Sequence, residues 1–147
     1  MDFEDQVHCH AWIHCLITAK DENPVIQPYF REEVNQIVED TFIKMGSSVR
    51  IINCSSTHLN CLFNLNPEKS VQEIVNQVQK VSADFINAKL ETQGQPIWEE
   101  DFSCLSVDST NIEEVFNFIR DQDIRNLTAP DKSEFIQLLE LHKVSSE

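Results

Sequence analysis

Apolar residues recur along this chain with two different periods, and the switches between them mark out its elements. In His8–Thr18 (HCHAWIHCLIT), His8, His10, Trp12 and His14 share one parity, and Cys9, Ala11, Ile13, Cys15 and Ile17 share the other. Bulk on both parities predicts a central strand covered on each side. Val49–Asn53 and His58–Leu65 flank the polar connection Cys54-Ser55-Ser56-Thr57, which predicts a hairpin in the middle of the protein. Along its second arm Leu59, Cys61, Phe63 and Leu65 share one face, and His58, Asn60, Leu62 and Asn64 share the other. A polar row therefore crosses the centre of the domain, where a site would lie. Phe102–Val107 predicts the last strand.

Helical spacing governs the stretches between. Phe30, Val34, Ile37, Val38 and Phe42 predict a helix from about Phe30 to Met45, with Glu32 and Glu33 in its first turn and Gly46 as its stop. Ser70-Val-Gln-Glu73 is a capping box opening a helix to about Leu90, with Val71, Ile74, Val75, Val78, Ser82, Phe85 and Ile86 on one stripe. A second box, Thr110-Asn-Ile-Glu113, predicts a helix with Ile112, Val115, Phe116 and Ile119 inward, ending near Asn126. Pro130 is expected to open a short helix that docks through Phe135, Leu138 and Leu139. The order strand, helix, strand, strand, helix, strand, helix, helix is the ferredoxin-like pattern with additions. The expectation is an α+β domain spanning residues 1–147: an antiparallel sheet, two helices on one face, further helices at the carboxyl end, and irregular termini at residues 1–7 and 144–147.

Charge narrows the choice of partner. The net charge is -14, and dividing the chain at Asn66 leaves four basic against nine acidic residues before it and seven against sixteen after it. The excess is general, so a phosphate backbone meets repulsion unless positive charge is concentrated locally. Lys20, Lys44 and Arg50, and then Arg120 with Arg125, form no cluster in sequence. Five scattered cysteines without a CxxC pair favour neither a disulfide framework nor a thiolate zinc site, and point to a reducing cytoplasm. The acidic amino terminus precedes no apolar run of signal-peptide or membrane-spanning length. His8, His10 and His14 would share one face of a strand and could form a metal ladder. No Asp, Glu or Cys joins them with evident geometry, so imidazoles packed beside Trp12 are the plainer reading.

Four stretches carry a resemblance. INCSSTHLNCLFNLNP is similar to the signature strand of the single-tyrosine transposases of small bacterial insertion sequences, the His-hydrophobic-His (HUH) superfamily. PEKSVQEIVNQVQKVSADFIN resembles the helix that follows that strand, IWEEDFSCLSVDST the Trp-containing segment before the last strand, and NIEEVFNFIRDQDIRNL the helix carrying the nucleophile. With the first strand, the similarity covers roughly residues 8 to 140. The resemblance implies a dimer acting on single-stranded or hairpin DNA ends. A divalent ion held by two histidines and a helix residue would polarise the phosphate, and a tyrosine would attack it.

Position by position, the first metal histidine falls on His58, the second on Asn60, and the third ligand on Gln122. The nucleophile falls on Phe118, which has no oxygen, and Tyr29 is the one tyrosine in the chain. Two basic positions fall on Gln79 and Asp84, the glycines of the Trp-containing segment on Asp101 and Ser103, and a histidine pair on Arg125 and Asn126. Lost nucleophile, halved metal set and reversed charge together imply a catalytically degenerate, dimeric interaction or scaffolding protein, whose acidic surface suits a basic protein partner. No cofactor is expected, a weakly held Mg or Mn being the one exception the resemblance leaves open. The alternative is a transposase or DNA-binding protein acting on single-stranded or hairpin ends, with Lys80, Arg120 and Arg125 as nucleic-acid contacts and Trp98 and Phe102 stacking on bases.

Overall fold

The computed structural model describes residues 10–128 and 131–143. Four strands, β1 (Trp12–Thr18), β2 (Ser48–Cys54), β3 (His58–Asn64) and β4 (Ser103–Val107), pair antiparallel in the order β2-β3-β1-β4. The helices are α1 (Arg31–Lys44), α2 (Val71–Lys89), α3 (Ile112–Arg120), α4 (Gln122–Thr128) and α5 (Glu134–Leu141). This is the ferredoxin-like α+β arrangement with extra carboxyl-terminal helices. β1 is central and covered on both faces, as its two bulky parities require.

The two parities of β1 and β3 build two different layers. Ile13, Cys15, Ile17, Leu59, Cys61 and Phe63 face α1 and α2, where they join Phe30, Val34, Val38, Phe42, Ile74, Val75, Val78 and Ile86 in one apolar cluster. On the other face Leu62 and Val107 meet Val115 and Ile119 of α3, and Leu16 meets Leu138 and Leu139 of α5. α3 and α5 therefore lie over the side of the sheet that carries the polar row.

Local chemistry explains the boundaries. α1 ends in a Schellman turn: Gly46 has φ +80°, its N–H donates to the Ile43 carbonyl at 2.9 Å, and the Ser47 N–H donates to that of Phe42 at 2.9 Å. A Cβ at Gly46 would sit 2.5 Å from Asn66 Nδ2, so space as well as φ demands glycine. The Ser70 box is complete, with the Glu73 N–H donating to Ser70 Oγ at 3.0 Å and the Ser70 N–H to Glu73 Oε1 at 3.1 Å. Trp98 donates its indole N–H to Ser82 Oγ at 2.9 Å, which explains a polar residue on the buried stripe of α2.

Four expectations about the elements change. β1 begins at Trp12; His10 precedes it, and His8 and Cys9 lie outside the described residues. The Thr110 box does not form, because Asp108 accepts from the Thr110 N–H at 3.1 Å and the chain enters α3 through a single 3-10 turn. The helix expected to run to Asn126 divides at Asp121 (φ -92°, ψ 20°). The cause lies across the sheet: Asn53 Nδ2 on β2 donates to the Ile119 carbonyl at 2.9 Å and the Arg120 carbonyl at 3.4 Å, inserting a side chain where the helical ladder would continue. Ser133 opens α5 in place of Pro130, its Oγ accepting from the Ile136 N–H at 3.2 Å; Pro130 itself lies outside the described residues.

Candidate functional site

Antiparallel register sets the polar row beside β1: Thr18 lies opposite His58, Leu16 opposite Asn60, and His14 opposite Leu62. Asn53 on β2 lies opposite Asn60 from the other side. Above them pass the end of α3, the start of α4 and the inner side of α5. His14, Asn60 and Gln122 are fully buried.

Buried polar groups need partners, and three of these form a chain with a fourth. His142, just past α5, lies 2.9 Å through Nε2 from His14 Nδ1; His14 Nε2 lies 2.9 Å from Asn60 Oδ1; and Asn60 Nδ2 donates to Gln122 Oε1 at 2.6 Å. An amide oxygen only accepts, so His14 carries its proton on Nε2 and donates to Asn60. Its Nδ1 is then an acceptor, and His142 donates to it. Every bond in the chain points the same way, from α5 towards α4. Gln122 Nε2 ends it as a buried donor without a partner.

Burial lowers the His14 pKa to about 4; the bond to Asn60 opposes that, while His142 and Arg125 add to it. His14 is neutral at pH 7, as its two-sided role requires. Burial also lowers the pKa of His58, against the attraction of Glu134 and Glu22, and that of His142, against the attraction of Glu114.

Phe118 sits at the centre of this layer. Its ring meets His14 edge-on, centroids 5.7 Å apart at 71°, and the Arg125 guanidinium carbon lies 3.5 Å from its centroid on the other side. Arg125 Nε donates to the Phe118 carbonyl at 3.0 Å, and Nη1 donates to Gln137 Oε1 at 3.0 Å and also to Glu134. Glu134 is 3% exposed, so its charge is balanced inside the protein by Arg125. One arginine thus stacks on α3 and clamps α5 shut over the row.

The sequence-derived candidates separate into those brought together and those kept apart. Asn60 and Gln122 are hydrogen-bonded, and Phe118 lies against His14, the other partner of Asn60. His58 stays on the same sheet face but turns to Thr57, whose Oγ1 lies 2.7 Å from its Nδ1. Arg120 pairs with Asp121 at 2.9 Å, and Arg125 is largely buried under α5. Lys80 is exposed on α2, the helix covering the opposite face, so these three basic residues line no common groove. Tyr29 is 71% exposed and donates to the Lys89 carbonyl at 3.4 Å, on the α2 side of the sheet. Trp98 is buried against α2, and Phe102 is half-buried beside the same core. His10 is exposed while His14 is buried, His8 lies outside the described residues, and no trio of His, Cys, Asp and Glu among the described residues is grouped to hold a metal.

A hard divalent ion needs oxygen donors with free lone pairs. In this row Asn60 Oδ1 and Gln122 Oε1 each accept one hydrogen bond, and Gln122 Nε2, unpartnered among the described residues, presents a positive N–H. The three positions carried over from the family thus offer one imidazole, His58, and two neutral amide oxygens that each already accept one hydrogen bond, a weaker donor set than two imidazoles.

The sequence does not reveal His14 as the partner of Asn60, His142 as the partner of His14, or Glu134 and Gln137 as partners of Arg125. The parity of His14 on a central strand was the available signal for the first. The others depend on α5 folding back, which no local pattern encodes.

Comparison with known proteins follows the same lines. The family model described as Transposase IS200 like matches residues 7–122. No curated protein matches the chain. Among solved structures, a candidate transposase from Deinococcus radiodurans R1 is similar with a TM-score of 0.64 at 15% identity, covering 83% of this chain and 98% of that one. A REP-associated tyrosine transposase bound to a REP hairpin is similar with a TM-score of 0.63 at 7% identity, covering 86% of this chain and 74% of that one. At these identities the two structures bear on the fold alone.

Proposed function

The chain belongs to the IS200-like family of single-tyrosine, HUH-type transposases, and from that premise we propose that it is a member without DNA-cleaving activity, serving as a dimeric interaction or scaffolding protein. The observation that carries this reading is the phenyl ring at position 118, held edge-on to His14 and beneath Arg125 where the family's nucleophile would stand. A benzene ring offers no oxygen to attack phosphorus. Of the ligand positions, Asn60 and Gln122 are hydrogen-bonded to each other, and His58 is turned to Thr57. Any divalent ion would be weakly held, by His58 alone.

Charge supports the partner class. Arg31, Arg50, Lys89, Arg120, Arg125 and Lys132 each have an acidic partner, so much of the scarce positive charge is already neutralised. The acidic remainder suits a basic protein surface. Ile124 and Leu127 on α4 and Phe135 and Ile136 on α5 point outward, 59%, 82%, 46% and 38% exposed, and supply apolar area for a twofold contact.

A second reading, a transposase or DNA-binding protein acting on single-stranded or hairpin DNA ends, is the one that family membership taken alone favours. The two part at the bench. Incubation with labelled hairpin oligonucleotides and magnesium or manganese is expected to leave no protein–DNA adduct on a denaturing gel, and fluorescence anisotropy is expected to show no specific binding below about 10 µM at roughly 0.15 M salt. A covalent adduct, or tight sequence-dependent binding at that salt, establishes the second reading instead.

A further inference from the structure

Away from the polar row, three thiols stand in line across the sheet. Cys15 on β1 lies opposite Cys61 on β3 and opposite Cys104 on β4. Cys54 is not part of this line; it faces Leu59, and its thiol donates to the Arg31 carbonyl at 3.7 Å. Directly opposed residues of an antiparallel pair have Cα atoms about 4.5 or 5.5 Å apart. Both values fall within the roughly 4.4–6.8 Å that a disulfide requires. The register alone therefore permits two bonds, Cys15–Cys61 and Cys15–Cys104.

Two further features choose between them. Cys15 and Cys61 are fully buried, whereas Cys104 is half-buried on β4 and open to a small reagent. β3 is pinned between β2 and β1, whereas β4 pairs with β1 alone and is the freer of the two to shift towards it.

We propose that Cys15 and Cys104 are a peroxide-responsive pair that closes to a reversible disulfide, fastening the edge strand β4 to the centre of the sheet. In the first step the Cys104 thiolate attacks one oxygen of hydrogen peroxide, the O–O bond breaks, and hydroxide leaves, giving Cys104 sulfenic acid. In the second step the Cys15 sulfur attacks the Cys104 sulfur, and the sulfenic oxygen leaves as water with the Cys15 proton. Two thiols and one peroxide give one disulfide and two waters, the two electrons passing from sulfur to peroxide oxygen. Cys15 is fully buried and out of reach of peroxide until Cys104 is oxidised beside it, so the order of events is set by access. β4 runs through one turn into α3, so the bond also ties the strand that leads into the helix carrying Phe118.

The test uses the full chain, reduced, desalted, treated with a small excess of hydrogen peroxide, blocked with N-ethylmaleimide and digested without reductant. The expected product is a Cys15–Cys104 cross-linked peptide pair. The intact mass should fall by two hydrogens, two thiols should be lost to maleimide, and dithiothreitol should reverse all three changes. Because the bond closes a loop from residue 15 to residue 104, Tm should rise by several degrees on oxidation and return on reduction. In Cys104→Ser, an edge-strand change that leaves the buried thiols untouched, both cross-link and Tm shift should vanish. The proposal is overturned if the principal cross-link joins any other pair, if it persists in Cys104→Ser, or if Cys104 proceeds to sulfinic acid while Cys15 still reacts with maleimide after unfolding.

Discussion

The two faces of the sheet are covered by helices in different ways. Beneath α1 and α2 the strands present Ile13, Ile17, Leu59 and Phe63, which pack by shape; Phe63 meets Phe42 with ring centroids 4.6 Å apart. Beneath α3, α4 and α5 they present His14 and Asn60 beside Leu16 and Leu62, and two small apolar clusters share the hold on the cover with a directional set of bonds ending at Gln122 and with Arg125 clamped onto Glu134 and Gln137. Apolar contact tolerates small displacements because it is non-directional. The polar layer must be satisfied atom by atom, and removing one partner strands another. On this face the row is covered by the protein's own carboxyl-terminal helix, α5.

The largest effect expected on either face is on the packed one. Phe42→Ala empties a fully enclosed aromatic site and should cost about 4 kcal/mol, read as a lower urea midpoint with an unchanged slope. On the polar face, Arg125→Ala leaves the Glu134 carboxylate buried and unpaired, with an expected cost of about 3 kcal/mol. Replacing both partners, Arg125→Met with Glu134→Leu, should recover most of that loss, because an apolar pair carries no desolvation penalty. A double variant as unstable as the single one would show that the clamp acts through something other than charge pairing, and the contrast between the faces would fail.

A pH titration sharpens the same contrast at a somewhat smaller scale. His14 has its folded pKa lowered to about 4 from 6.5, so between those values the unfolded chain takes up a proton that the folded chain refuses. Stability is therefore complete above about pH 6.5 and declines as pH falls towards 4, by about 3 kcal/mol from this residue. His58 and His142, also lowered, act in the same sense. Glu73, Asp108 and Asp121, whose carboxyls are held below their ordinary values, add losses only in the more acidic range. Urea midpoints between about pH 8 and 4 should bend near 6.5; a flat profile down to pH 4.5 would mean that His14 is not held neutral in the row.

Much of the apolar face was legible from sequence because its information is local. The stripe of α2 and the parity of Leu59, Cys61 and Phe63 place core residues without knowledge of the rest of the chain. The Ser70 box and the Gly46 stop held because their bonds lie within one turn of the residues that signal them. The Thr110 box failed because Asp108, two residues upstream, captured the same N–H. The break at Asp121 was invisible because its cause, Asn53, lies on another strand. The candidate site divides in the same way. Asn60, Phe118 and Gln122 could be named from the family resemblance, but Glu134 reads as an ordinary surface acid, and only the fold reveals it buried against Arg125.

The central claim is that this face of the sheet is a closed structural layer and not a cleavage site lacking one atom. Restoring that atom tests it most directly. Phe118→Tyr, shown by its melting curve to be folded, is incubated with labelled hairpin oligonucleotides and manganese beside the unaltered protein, and both are run on a denaturing gel. The expected result is no covalent adduct in either lane, because Asn60 and Gln122 hold their oxygens in hydrogen bonds and α5 covers the row. A 5'-phosphotyrosyl adduct in the Phe118→Tyr lane would contradict it, showing an intact metal-dependent site that awaits only a nucleophile.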